Sequence, residues 1–135
     1  MPPPTTILIV EDDLGVQAAL SEALSLEDQP RIIVATVEAA EAVLQRVRVV
    51  TVRLVMADIH LTSDLQACSG YHLYECWHRR YPLLPFLLIS GSPIGRDLPA
   101  VRTGEVRLLD KPFALDDLLQ AVREETRGGA GLFSA

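Results

Sequence analysis

The chain has 135 residues, enough for one domain, and 49% of them are hydrophobic, enough for a buried core. Its net charge of -6 at pH 7 and pI near 4.9 argue against a nucleic-acid-binding surface. Two cysteines do not make a disulfide framework, and the chain shows neither a membrane-spanning apolar run nor the layout of a signal peptide. The composition therefore predicts a cytoplasmic protein that binds neither nucleic acid nor membrane.

Short apolar runs alternate with amphipathic segments along the chain. The apolar runs predict five buried strands, at residues 7–10, 31–35, 54–57, 84–89 and 106–109. The amphipathic segments predict five helices, at residues 14–26, 37–47, 70–80, 94–103 and 115–127. Pro99 makes the fourth helix short or irregular. The pattern predicts a doubly wound α/β fold, with a five-stranded parallel sheet covered on both faces, followed by a flexible Gly-rich tail at 128–135.

Polar residues follow four of the five predicted strands. Because the carboxyl ends of parallel strands meet at one edge of the sheet, these residues are expected to line one crevice. They are Asp12 and Asp13 after the first strand, Asp58 after the third, Ser90 at the end of the fourth, where Gly91 follows it, and Lys111 after the fifth. Lys111 is the single lysine in a chain with 11 arginines, and lysine presents a compact charge where arginine presents a wide fork.

These residues together predict a site for phosphoryl transfer. Like charges about 4 Å apart repel by about 4 kcal/mol at an effective dielectric of about 20, and one lysine cannot neutralise three carboxylates. Oxygen ligands with room for water favour Mg²⁺ over zinc. Asp58 would be the nucleophile, with Lys111 facing it across a gap that a phosphate could fill. The Ser90 hydroxyl and the Gly91 N–H would bind further phosphate oxygens.

Four segments in this order resemble the receiver domain of response regulators in two-component signalling: ILIVEDD, LVMAD, LLISGS and DKPF. The resemblance covers residues 5–127 and implies a flavodoxin-like fold. It also implies a metal site, in which Asp12 and Asp13 are the acidic pair that holds Mg²⁺, with Asp13 favoured as the direct ligand. Asp58 would be the phosphoacceptor and a further ligand, and the backbone carbonyl of His60 would complete the protein ligands.

The same resemblance implies the roles of the remaining site residues. Ser90 would hydrogen-bond the phosphate, Gly91 would leave access to it, and Lys111 would pair with it. The Lys111–Pro112 peptide bond would be cis, which proline permits at low cost.

A histidine kinase is the partner that this resemblance implies. It would donate the phosphoryl group to Asp58, and phosphorylation would change binding to a downstream protein, or to an output domain if the chain is part of a larger regulator. The chain would catalyse its own phosphorylation and dephosphorylation and is not a conventional enzyme. The alternative is a pseudo-receiver, a protein-binding module that works without phosphorylation. A haloacid-type hydrolase is disfavoured, because His60 stands where that class needs a second aspartate.

Three features depart from the family pattern: position 108, the loop after Asp58, and the fourth helix, which Pro99 makes short or irregular. Leu108 stands where the family usually has an aromatic residue, so the usual ring movement is not available for output. Thr62 replaces the usual proline after the phosphoacceptor. Gly70 follows Asp58 later than the family's glycine does, which predicts extra residues in the loop 59–69. All three departures concern output or tuning rather than the catalytic atoms.

Overall fold

The computed structural model describes residues 5–48, 51–61 and 69–130. Within these residues the strands are β1 Thr6–Val10, β2 Arg31–Val34, β3 Val52–Asp58, β4 Phe86–Ser90 and β5 Arg107–Asp110. The α-helices are α1 Leu14–Ser25, α2 Val37–Arg46, α3 Ser69–Arg80, α4 Pro99–Arg102 and α5 Leu115–Ala130. A 3₁₀ helix, Pro93–Asp97, precedes α4.

The strands form one parallel sheet in the order β2-β1-β3-β4-β5. The predicted doubly wound fold is confirmed. The winding direction reverses between β1 and β3, and ligands bind at such a switch point outside the carboxyl ends of the strands. Val10 is paired with Ala57, and Asp58 with Ile89. This register brings the residues that follow β1 next to the end of β3.

Alternate residues of the strands are buried on opposite faces of the sheet. On one face Leu8 and Val55 pack in the cluster that contains Trp77 of α3. On the other face Ile9 and Met56 pack in a cluster with residues of α1 and α5. Burying one such side chain contributes about 1.5–3 kcal/mol, so both faces hold the strands in register. No helix within the described residues combines the length and apolar character needed to cross a membrane.

The fourth helical segment is divided, as the proline predicted. The 3₁₀ helix ends at Asp97, and α4 has four residues, with Pro99 at its start. Leu98 between them is extended, with φ -65° and ψ 136°, because proline disfavours the helical conformation of the preceding residue. The α4 segment therefore covers less of the sheet than a helix of ordinary length would.

The end of the last helix differs from its predicted position. The α5 helix continues to Ala130, beyond the predicted end at Arg127, although glycine is a poor helix former. Residues 131–135 lie outside the described residues, and the flexibility expected of the tail stays a prediction. The loop residues 62–68, which include Thr62, also lie outside them, so the predicted loop extension stays a prediction.

Gly70 packs against the backbone of the strand that ends in Asp58. A Cβ at Gly70 would lie 1.9 Å from the carbonyl oxygen of Asp58 and 2.9 Å from the Cα of Ile59. The Gly70 N–H also donates to the Ile59 carbonyl at 3.1 Å. The start of α3 therefore meets the end of β3 at a point where only glycine fits.

We predict that Gly70→Ala destabilises the protein by about 2 kcal/mol or more, because the added methyl overlaps backbone atoms that have no room to move. Urea unfolding followed by circular dichroism measures the loss. Gly91→Ala is the control, because its Cβ would meet only the Lys111 side chain, at 3.7 Å. Equal stability of the two variants would contradict this packing.

Candidate functional site

An open cleft lies at the carboxyl edge of the sheet. It is bordered by the ends of four strands and the segments that follow them. The lining residues are Asp12, Asp13, Asp58, His60, Gly91, Ser92, Pro93 and Lys111. All the residues predicted for the site line this cleft except Ser90. The parallel register therefore brings together residues that are up to 99 positions apart in the chain.

Lys111 forms two ion pairs at the base of the cleft. Its Nζ donates to Asp58 Oδ2 at 2.9 Å and to Glu11 Oε1 at 3.0 Å. The side chain of Lys111 is 21% exposed, whereas that of Glu11 is fully buried. The predicted proximity of Lys111 and Asp58 is present, but the two side chains are in direct contact rather than across a gap.

Glu11 was missed by the sequence reasoning. It follows the last residue of β1, and the Val10–Ala57 pairing places it beside Asp58. Its Oε2 is buried and has no hydrogen-bond partner among the described residues. Burial raises the pKa of Glu11 to about 8, helped by the hydrogen bond and charge of Asp58 and opposed by Lys111. A carboxyl in this position is a poor anion unless more positive charge is present.

The same contacts act on Lys111. Burial alone would lower its pKa, but the hydrogen bonds to Asp58 and Glu11 outweigh burial, and the pKa of Lys111 is raised. The ammonium therefore stays charged at neutral pH.

The acidic group that the structure assembles differs from the predicted pair. Ligand oxygens of Glu11, Asp12 and Asp58 lie within 4.8 Å of one another. Asp13 borders the cleft, but it is the N-cap of α1, and its Oδ1 accepts from the Val16 N–H at 2.9 Å. The adjacent acids Asp12 and Asp13 thus occupy different environments, one in the acidic group and one at a helix start.

The Asp58 carboxylate is held from both sides. It is 6% exposed, and its Oδ1 accepts from the His60 N–H at 2.9 Å while its Oδ2 accepts from Lys111. His60 borders the cleft, and within the described residues neither of its ring nitrogens has a hydrogen-bond partner. A role for the His60 carbonyl as a metal ligand stays a prediction.

Ser90 is buried and is not among the residues that line the cleft. It is 1% exposed, its Oγ donates to the Ser92 carbonyl at 2.8 Å, and the same oxygen accepts from the Ser92 N–H at 3.0 Å. Gly91 and Ser92 border the cleft in its place. The sequence reasoning did not include Ser92, although the run Ser-Gly-Ser offers two hydroxyls at the same strand end. The Lys111–Pro112 bond is cis, as the resemblance implied.

Comparison with known proteins identifies the family. The family described as response regulator receiver domain matches residues 7–123. The response regulator protein FleR of Pseudomonas aeruginosa is 33% identical over 123 residues, which are 90% of this chain and 24% of that protein. An NtrX-like response regulator of Rickettsia bellii is 27% identical over 115 residues, which are 84% of this chain and 23% of that protein. This chain thus spans about a quarter of the length of these curated relatives.

Solved structures agree on the fold. A CheY-like receiver domain protein from Methanospirillum hungatei JF-1 has a TM-score of 0.78 and 22% identity, over 96% of this chain and 98% of that chain. The signal receiver domain of an HD domain-containing protein from Pseudomonas fluorescens Pf-5 has a TM-score of 0.81 and 24% identity, over 97% and 93%. At these identities the structures support the fold alone.

The fold and the acidic cleft are those of a signalling receiver, and the chain belongs to the response regulator receiver domain family. Membership implies two-component signalling, with a histidine kinase as partner in general and, for receiver domains in general, Mg²⁺ in an acidic pocket.

The raised pKa of Glu11 has a consequence for stability. A group whose pKa is higher in the folded state than in the unfolded state stabilises the fold most at low pH. For Glu11 this contribution is complete below about pH 4.5 and is lost as pH rises through about 8. Charging the buried carboxyl at higher pH therefore costs stability.

We predict that Glu11→Gln is more stable than the wild type at about pH 8 by roughly 2 kcal/mol, and that the difference disappears towards about pH 5. Urea unfolding across this range, with a chelator present, measures it. The exposed Glu22, changed to Gln, removes the same charge outside the cleft and is the control. A difference in unfolding free energy between Glu11→Gln and the wild type that is the same at all pH values would contradict the raised pKa of Glu11.

Proposed function

We propose that this chain accepts a phosphoryl group on Asp58 from a phosphohistidine of a histidine kinase. The observation that carries the proposal is the buried Asp58 carboxylate in direct contact with the chain's single lysine, at the open end of a parallel sheet. The cleft is open to a donor, and the carboxylate is oriented by the His60 N–H. We extend the proposal to a cytoplasmic location, as expected from the composition.

The proposed reaction is a substitution at phosphorus. A carboxylate oxygen of Asp58 attacks the phosphorus, and a mixed carboxylic–phosphoric anhydride bond forms. The phosphorus–nitrogen bond to the donor histidine breaks, and its electron pair returns to the imidazole nitrogen. Lys111 keeps its ammonium beside the site and offsets negative charge on the phosphoryl oxygens. Gly91 and Ser92 border the cleft. In this proposal the Gly91 N–H binds one of those oxygens, and the Ser90 hydroxyl binds another after it leaves its hydrogen bonds to Ser92.

The donor set fits Mg²⁺. Hard oxygen ligands suit this ion, and the buried, unpartnered Oε2 of Glu11 lies in a group whose ligand oxygens are within 4.8 Å. We propose Asp12 and Asp58 as carboxylate ligands, with Glu11 beside them and the His60 carbonyl as a further ligand. When bound, the ion supplies Lewis-acid stabilisation of charge on the transferring phosphoryl group.

The second candidate function is a pseudo-receiver that binds a partner without phosphorylation. Two observations favour it. The Ser90 hydroxyl donates to the Ser92 carbonyl and accepts from the Ser92 N–H, so both of its hydrogen bonds are made with Ser92. In addition, Leu108 replaces the aromatic residue that the family uses for output. Against it stand the acidic group and Lys111, which a binding module does not need. In either case we propose protein–protein contacts as the output, made with a separate protein or with further domains of a longer regulator.

We predict that a small phosphodonor with Mg²⁺ adds one phosphoryl group to the wild type and none to Asp58→Asn. The amide oxygen of asparagine is too weak a nucleophile to form the anhydride. Intact-mass spectrometry measures the product, and Asp97→Asn, outside the cleft, is the control. Modification of Asp58→Asn would assign the phosphoryl group elsewhere. An unmodified wild type with several donors, together with absent Mg²⁺ binding, would favour the pseudo-receiver.

A matched pair of variants distinguishes the proposed roles of Asp12 and Asp13. We predict that Asp12→Ala lowers Mg²⁺ affinity at least about tenfold with little change in stability, because it removes a ligand charge. Asp13→Ala should keep most of the affinity but lose about 1 kcal/mol of stability, because α1 loses its N-cap. Titration calorimetry measures the affinity and urea unfolding the stability. The opposite pattern would make Asp13 the direct ligand, as first expected from the sequence.

A further inference from the structure

The buried position of the Ser90 hydroxyl is shaped by a glycine in the 3₁₀ helix. The Ser90 Oγ is hydrogen-bonded to the N–H and carbonyl of Ser92. Ser92 is also the N-cap of the 3₁₀ helix, where its own Oγ accepts from the Ile94 N–H. One hydroxyl of the strand end is therefore tied to the start of this helix.

Gly95 is buried in the same helix and closes the space around Ser90. A Cβ at Gly95 would lie 2.9 Å from Ser90 Oγ, 3.0 Å from Ser90 Cβ and 3.1 Å from Leu108 Cδ2. The backbone at Gly95 is not in the positive-φ region, so the contacts alone oppose a larger residue. We call the space formed by Ser92, Gly95 and Leu108 the Ser90 seat.

We propose that Gly95 is a positioning residue whose missing side chain keeps the Ser90 hydroxyl in this seat, away from the cleft, before phosphorylation. The inference rests on the proposed function, in which Ser90 binds a phosphoryl oxygen. To do so the hydroxyl must leave both hydrogen bonds to Ser92, which removes two contacts at the start of the 3₁₀ helix. Leu108 closes the seat from the side of β5.

The seat gives this chain a route for output that needs no aromatic ring. The 3₁₀ helix carries Arg96, which pairs with Asp110 at the end of β5. It also carries Ile94, which is 45% exposed. When the Ser90 hydroxyl leaves Ser92, the start of the 3₁₀ helix loses two hydrogen bonds. A movement of this helix would shift the exposed Ile94 side chain and, through the Arg96–Asp110 pair, the end of β5. The surface that changes on phosphorylation is the 3₁₀ helix together with the end of β5.

The first test concerns the unphosphorylated protein. Gly95→Ala should displace the Ser90 hydroxyl and expose the Ser92 N–H, so that amide hydrogen exchange at Ser92 becomes about fivefold faster, the factor expected for one lost hydrogen bond. Ser90→Ala should accelerate the same amide. Ile94→Ala, on the exposed side of the helix, is the control. Unchanged exchange in Gly95→Ala, or equal acceleration in Ile94→Ala, overturns the proposal.

The second test measures phosphorylation by a small phosphodonor with Mg²⁺. Gly95→Ala should raise the rate about fivefold, because the hydroxyl no longer has to leave its seat. In the Ser90→Ala background the same change should have no effect on the rate. An equal effect in both backgrounds, or a lower rate in Gly95→Ala, overturns the role of the seat.

The outcomes separate this inference from the proposed function. If the wild type is not phosphorylated, the proposed function fails and the role of the seat in phosphorylation fails with it. The exchange experiment still decides whether Gly95 holds the hydroxyl. If Gly95→Ala does not fold, the double variant with Ser90→Ala removes the shortest contact. Recovery of folding supports the seat. If the double variant does not fold either, equal exchange of the Ser92 amide in Ser90→Ala and in the wild type overturns the seat.

Discussion

The contact of Lys111 with Asp58 and Glu11 is the interaction on which the site depends. A single ammonium lies between two buried carboxylates, with Asp12 nearby. One positive charge does not balance three acids, and burial makes the imbalance costly. Burial and the neighbouring Asp58 raise the pKa of Glu11 to about 8, which favours the neutral form of its carboxyl group and so reduces the imbalance. The same imbalance supports the proposed binding of a hard cation in the cleft, and the position of Lys111 supports the proposed binding of phosphate.

The path of the backbone after β1 gives three consecutive acidic residues different positions. Within three residues the chain leaves β1, crosses the edge of the sheet and enters α1. Glu11 remains beside the strand and is buried, Asp12 belongs to the acidic group, and Asp13 already caps the helix. Three similar side chains thus act as a partner of lysine, a proposed metal ligand and a helix cap. The three residues are consecutive in the chain, but their side chains lie in three different environments.

The region from Ser90 to Leu108 contains the segments that the proposal places between the cleft and the surface. Pro99 divides the helical segment, so a 3₁₀ helix rather than a full helix follows the cleft. Gly95 packs that helix against Ser90 and Leu108 without a side chain between them. The proposed connection between the cleft and the surface runs through the hydrogen bonds of Ser90 with Ser92 and the close packing at Gly95, and it needs no aromatic residue at position 108.

Local patterns in the sequence were enough for the strands, their alternation with helices, the divided fourth helix and the meeting of Asp58 with Lys111. Apolar runs and proline act over a few residues, and parallel strands bring their ends to one edge regardless of detail. Only the tertiary structure showed the burial of Glu11, the capping role of Asp13 and the burial of the Ser90 hydroxyl against Ser92. Each depends on strand register or on a neighbour distant in the chain, and the direction of a side chain at a strand end is set by those neighbours.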